Sequence, residues 1–148
     1  NFLGYSLLER GDEMELAFEY ISKAVAIKPK DSYIRDSLGW YYYKKGDLKA
    51  AFREIKKAWE GMQDDMTITK HLAIIYQGMK KYDEAHIYLV KALKSCEQES
   101  DRLEVLDALE NLQKMQLNEK MVKRVPASSS SMKKKRPVSA KRVSLTPQ

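Results

Sequence analysis

Apolar positions along the first hundred residues recur at steps of three and four, and no segment holds a sustained period of two. That spacing predicts amphipathic helices and no strands. Ile34, Leu38, Tyr41 and Tyr42 keep helical spacing up to Lys45-Gly46-Asp47, and Leu48, Ala51, Phe52, Ile55, Ala58 and Trp59 resume it afterwards. Gly46 suits a left-handed helix ending and Asp47 the N-cap of the next helix. Pro29, followed by Asp31 and Ser32, marks a second break of the same kind. The fold class this predicts is all-α.

The pattern also repeats. Ala17, Ala51 and Ala85 recur at an interval of 34, as do Ala24, Ala58 and Ala92, and Ile21, Ile55 and Leu89. Leu38 to Leu72 and Tyr42 to Tyr76 keep the same interval, whereas Leu3 to Leu38, Gly4 to Gly39 and Gly11 to Gly46 are displaced by 35. One extra residue between Gly11 and Ala17 accounts for the difference, in a turn where an insertion costs little. Each copy reads as two helices. Small residues at Gly4, Gly39 and Ala73 in the first helices, and at Ala17, Ala51 and Ala85 in the second, permit close antiparallel approach. One helix pair cannot bury its own apolar face, so the copies must stack, and about three are needed for stability.

The segment SLGWYYYKKGDLKAAFREIKKAW resembles a tetratricopeptide repeat, with Leu38, Gly39, Tyr42, Ala51, Ile55 and Ala58 at the signature positions. The phrasing NFLGYSLLERG followed by DSLGWYYYKKG further resembles bacterial arrays of that family. The resemblance implies an α-solenoid of antiparallel helix pairs over residues 1–99, as a partial repeat 1–31 and full repeats 32–65 and 66–99. A closing helix is expected over 100–124, with Asp101 as N-cap, Glu104 completing a capping box, and Leu103, Leu106, Leu109 and Leu112 as its inner face. Lys80 stands where Gly11 and Gly46 predict a turn glycine, which leaves the turn of the third copy open. Asn1-Phe2-Leu3 begins inside the apolar pattern without a cap, so further repeats are expected upstream in the parent protein, and with them an exposed apolar N-terminal face.

The family geometry implies a concave groove lined by the first helix of each pair: Tyr5 and Leu8, then Asp36, Trp40, Tyr43 and Lys44, then Lys70, His71, Ile74 and Gln77. Aromatic residues among polar neighbours suit a docked peptide or partner protein, because Trp and Tyr dominate interface energetics. Packing of Trp40 and Tyr43 between neighbouring repeats is the other reading of the same residues. The family's clamp for a C-terminal carboxylate uses lysines and asparagines, and Asp36 and Trp40 disfavour that ligand here.

Charge divides the chain. The formal charge is +6, yet residues 125–148 hold Lys133, Lys134, Lys135, Arg136, Lys141 and Arg142 with no acid. The rest then balances 21 bases against 21 acids. Only this serine-, proline- and lysine-rich tail, expected to be disordered, offers polyanion contact, and it carries the alternative reading of a tether to nucleic acid or an anionic membrane surface. Ser139 and Ser144 follow basic residues at kinase-like spacing within it, and Thr146 precedes Pro147.

Catalytic chemistry finds no support. His71 and His86 fall on different predicted helices and in no metal-ligand spacing, and no phosphate-binding glycine loop or nucleophile elbow occurs. Asp64 and Asp65 fit helix caps better than an acid–base pair. Cys96, alone, reads as a half-buried structural thiol and leaves the redox compartment unread. No stretch is long and apolar enough to span a bilayer. The expectation is a soluble, non-enzymatic scaffold without cofactor or small-molecule substrate, cytoplasmic, or periplasmic if a leader was removed.

Overall fold

A computed structural model describes residues 1–11 and 13–125. Among them are seven helices and no strand: α1 (Phe2–Arg10), α2 (Met14–Ile27), α3 (Ser32–Lys44), α4 (Leu48–Gly61), α5 (Met66–Gly78), α6 (Tyr82–Lys94) and α7 (Glu99–Arg124). They form an all-α solenoid in which α1 pairs with α2, α3 with α4 and α5 with α6. Successive pairs join through α2 on α3 and α4 on α5, and the first helices also touch, α1 on α3 and α3 on α5.

Local chemistry sets the helix ends. Asp31, Asp47 and Asp65 are N-caps whose carboxylates accept the backbone N–H of Ile34, Ala50 and Ile68 at 3.1, 2.9 and 2.9 Å. Each satisfies a donor that a helix start leaves unpaired. Gly46 closes the α3–α4 turn at φ 83°. The α5–α6 turn closes the same way without glycine: Lys80 takes φ 60°, and its N–H reaches the Gln77 carbonyl at 2.9 Å. A β-carbon in the left-handed region costs about 1 kcal/mol. Lys80→Gly should therefore raise stability by about 0.5–1 kcal/mol in a urea melt, and a loss would show that the lysine is not strained there.

The core runs through the pairs as a column of small and aliphatic side chains. Ala17, Ala51 and Ala85 are fully buried, as are Ile21, Ile55 and Ala73, with Leu89 nearly so. At Gly39 the backbones come so close that an added β-carbon would collide with Ile55 Cγ1 and stand 3.0 Å from the Ile55 backbone nitrogen. One polar group is buried beside this contact. Glu54 of α4 pairs with Arg35 of α3 at 2.6 Å and with its neighbour Arg53 at 3.1 Å, so the carboxylate is compensated where an isolated one would be costly.

The last helix corrects two expectations. It starts at Glu99, not Asp101, with Gln98 as an N-cap that makes no side-chain cap hydrogen bond; Glu104 instead pairs with Lys70 across the helix interface at 2.6 Å. Its inner face is Val105 and Leu112, both fully buried, with Ala108 and Leu109 half-buried, whereas Leu103 and Leu106 are 59% and 43% exposed. The helix starts at Ser32 and Met66 are one full repeat apart, and Glu99 follows Met66 one position short of a repeat, so α7 begins in the phase of a further first helix.

Candidate protein-binding groove

Residues from α1, α3 and α5 enclose a hollow of about 390 Å³ lined by Tyr5, Asp36, Ser37 and Thr67, with Phe2 and Tyr33 at its edge. Beside it lies a stack of rings. Trp40 sits on His71 with centroids 4.0 Å apart and planes 14° apart, and on Tyr43 at 4.6 Å and 22°. Both pairs are close, near-parallel ring stacks. His71 comes from α5, so the stack joins neighbouring pairs. Beneath it, His71 Nδ1 lies 2.9 Å from both carboxylate oxygens of Asp36, and both residues are buried. The indole N–H of Trp40 donates to Glu9 of α1 at 2.9 Å, and the Lys44 ammonium lies 5.8 Å from the Trp40 ring centre.

The ten groove residues expected from the sequence thus divide. Leu8, Asp36, Trp40 and His71 are buried. Leu8 has no exposed surface and is a core residue in this arrangement, because the α1 turn that carries it faces inward. Tyr5, Tyr43, Lys70, Ile74 and Gln77 are half-buried and Lys44 is exposed. These six form the accessible rim. Lys70 and Gln77 are tied to α7, Lys70 through Glu104 and Gln77 through a hydrogen bond to Met115 Sδ at 3.1 Å. Glu9 and Met115 escaped the sequence reading, and Glu104 was expected as part of a cap instead. Glu104 had a signal, since it lies one full repeat beyond Lys70.

Burial, followed by the charges of Glu9, Asp36 and Glu104, pushes the Tyr5 phenol up from 10.0 to about 12. The folded state therefore favours the protonated phenol. Its contribution to stability is complete below pH 10, the ordinary tyrosine value, and is lost as pH rises through about 12. An alkaline absorbance titration should show a late component near pH 12 that disappears in Tyr5→Phe. An unchanged titration would contradict the burial of this hydroxyl.

Other groups are accounted for locally. The Cys96 thiol donates to the Ala92 carbonyl at 3.3 Å and is raised above its ordinary value, chiefly by burial. His86 is exposed. Among the described residues no three His, Cys, Asp or Glu side chains gather as a metal site, and no helix is long and apolar enough to cross a membrane. Another hollow, of about 500 Å³, lies away from the stack, between Lys80–Glu84 and the second half of α7, and its lining is mostly charged. Lys133, Lys134, Lys135, Arg136, Lys141 and Arg142, with the predicted disorder and kinase-like serines of the tail, lie outside the described residues.

Comparison with known proteins bears on the pairs that build this groove. A family model described as tetratricopeptide repeat matches residues 67–100, which hold nearly all of α5 and the whole of α6. A TPR repeat-containing protein of Pseudomonas aeruginosa, PA4667, is 39% identical over 64 residues. Residues 67–100 thus carry a tetratricopeptide repeat. The aligned stretch covers 43% of the chain and 11% of that bacterial relative, so the chain spans about a tenth of the relative's length. Tetratricopeptide repeats generally mediate protein–protein interaction and are typically non-enzymatic scaffolds. In these terms α5 and α6 are the two helices of the matched repeat, α1–α2 and α3–α4 pair in the same order before it, and the Trp40–His71 stack lies between the second and third pairs.

Proposed function

We propose that this chain is a non-enzymatic adaptor that holds a peptide or a segment of a partner protein across α1, α3 and α5. The observation that carries the reading is the rim of half-buried residues around a fixed floor. Asp36, Trp40 and His71 hold one another in place, so Tyr5, Tyr43 and Ile74 present apolar surface whose ordering is already complete before a ligand arrives. Preorganisation of this kind lowers the entropic cost of binding. Lys44 and Gln77 supply polar contacts at the edge, as a peptide main chain requires.

The floor residues act by support. Contact with the partner falls to the rim, and Tyr43 and Ile74 are its anchors. Selection of a random peptide display library on the chain should yield binders whose affinity drops at least tenfold, about 1.4 kcal/mol, in Tyr43→Ala and in Ile74→Glu. Lys57→Glu, on an exposed position of α4, should leave them unchanged. Binders indifferent to both rim substitutions but lost with Lys57→Glu would place recognition on the second helices and overturn the proposal.

A further inference from the structure

Helix α7 packs against the solenoid with one side only. At 3.6 residues per turn Val105 and Leu112 point the same way, and both are fully buried. On the opposite side Leu103, Leu106, Leu117 and Met121 are 59%, 43%, 60% and 66% exposed. Glu110 and Lys114, paired at 2.8 Å, lie in the middle of that side. In the register set by the helix starts, Leu106 occupies the place of Gly39 and Ala73, where each first helix receives its partner. A leucine there keeps a helix from approaching as closely as α4 approaches Gly39, and α7 runs on to Arg124 without a turn. Among the described residues the exposed side therefore has no second helix of the kind that α3 and α5 have.

We infer that this side of α7 pairs with α7 of a second copy of the chain, antiparallel, about a two-fold axis near residue 112. The residues on the exposed side are symmetric about that point. Positions 103 and 121 are equidistant from 112, as are 110 and 114, and 106 and 117 are centred half a residue away. Antiparallel pairing sets Leu103 against the partner's Met121, Leu106 against the partner's Leu117, and Glu110 against the partner's Lys114. The charges agree with this direction. From Glu99 to Glu110 five acids accompany one base, and from Lys114 to Arg124 four bases accompany one acid. Antiparallel helices put each acidic half on a basic half, whereas parallel ones would oppose like charges. A self-complementary patch of this kind is what a two-fold interface requires. Four large side chains per copy form a small apolar centre, so the association is reversible and its ion pairs make it weaken as salt rises.

Sedimentation velocity of the full chain across about 1–200 µM should show a monomer giving way to a dimer. Leu106→Glu with Leu117→Glu, both on exposed positions, should stay monomeric throughout with unchanged helicity. Glu110→Lys should weaken the dimer at least tenfold, and adding Lys114→Glu should restore it. In a Cys96→Ser background, mixing Leu103→Cys with Met121→Cys should give a mixed disulfide dimer, while Leu103→Cys alone should not cross-link to itself. A chain that stays monomeric over the whole range overturns the inference. So does a dimer that survives the double glutamate change, one abolished by Phe2→Glu with Leu3→Glu on the N-terminal face, or efficient self-cross-linking at position 103.

Discussion

Replacing Trp40 with alanine is expected to remove about 3–5 kcal/mol of folding stability, the range for deleting a large buried aromatic. The indole is 9% exposed. It lies between His71 and Tyr43 and gives its N–H to Glu9. The change would empty the contact between the second and third pairs, expose the Asp36–His71 pair to water and remove the Trp40–Glu9 hydrogen bond. Urea unfolding followed by circular dichroism checks this, and a loss under about 1 kcal/mol would contradict the packed role. Because a large loss of folding also lowers apparent affinity, Trp40→Ala is a poor probe of binding. Trp40→Phe keeps a ring in the stack while removing the bond to Glu9, and so is the milder probe of contact.

The second large effect is expected at Gly39. Valine there would drive its β-carbon into Ile55 Cγ1 and toward the Ile55 backbone nitrogen, 3.0 Å away. A side-chain clash can be relieved by a rotamer change, but a backbone atom moves only with its helix. Gly39→Val should therefore separate α3 from α4 and cost about 3 kcal/mol, at the upper end of overpacking effects. Gly39→Ala should cost less, since alanine at position 73 occupies the same place in the next pair. Denaturant midpoints for the two variants give the comparison. Near-native stability in Gly39→Val would show that the helices are not held at the distance described.

Where one residue type had a single physical use, the fold was legible in the sequence. The common phase of Ala17, Ala51 and Ala85 located the helix pairs because only small residues fit where helices touch. Asp31, Asp47 and Asp65 located the starts because a carboxylate caps a helix and does little else in those turns. The inner face of α7 misled for an equally physical reason. Leucines at 103, 106, 109 and 112 advance three residues at a time, which falls short of a full turn by about 60° per step. Over the four positions the direction rotates through half the helix, so Leu103 and Leu112 point opposite ways, and Val105 marks the buried side.

The candidate site was legible as a set of helices and less so as a surface. Repeat phase assigned Asp36, Trp40, Tyr43, His71 and Ile74 to first helices, but their depth depends on contacts no local pattern encodes. Asp36 and His71 meet from different helix pairs, and that contact places the ring on which Trp40 lies. Once these groups satisfy one another, what is left for a partner is the rim of Tyr5, Tyr43, Lys44, Lys70, Ile74 and Gln77.

Amide hydrogen exchange, with and without a library-selected peptide, tests the adaptor reading most directly. Protection concentrated in α1, α3 and α5, with little change in α2, α4 and α6, is the expected footprint. Protection confined to the second helices, or none on α3 and α5 at saturating peptide, would contradict it.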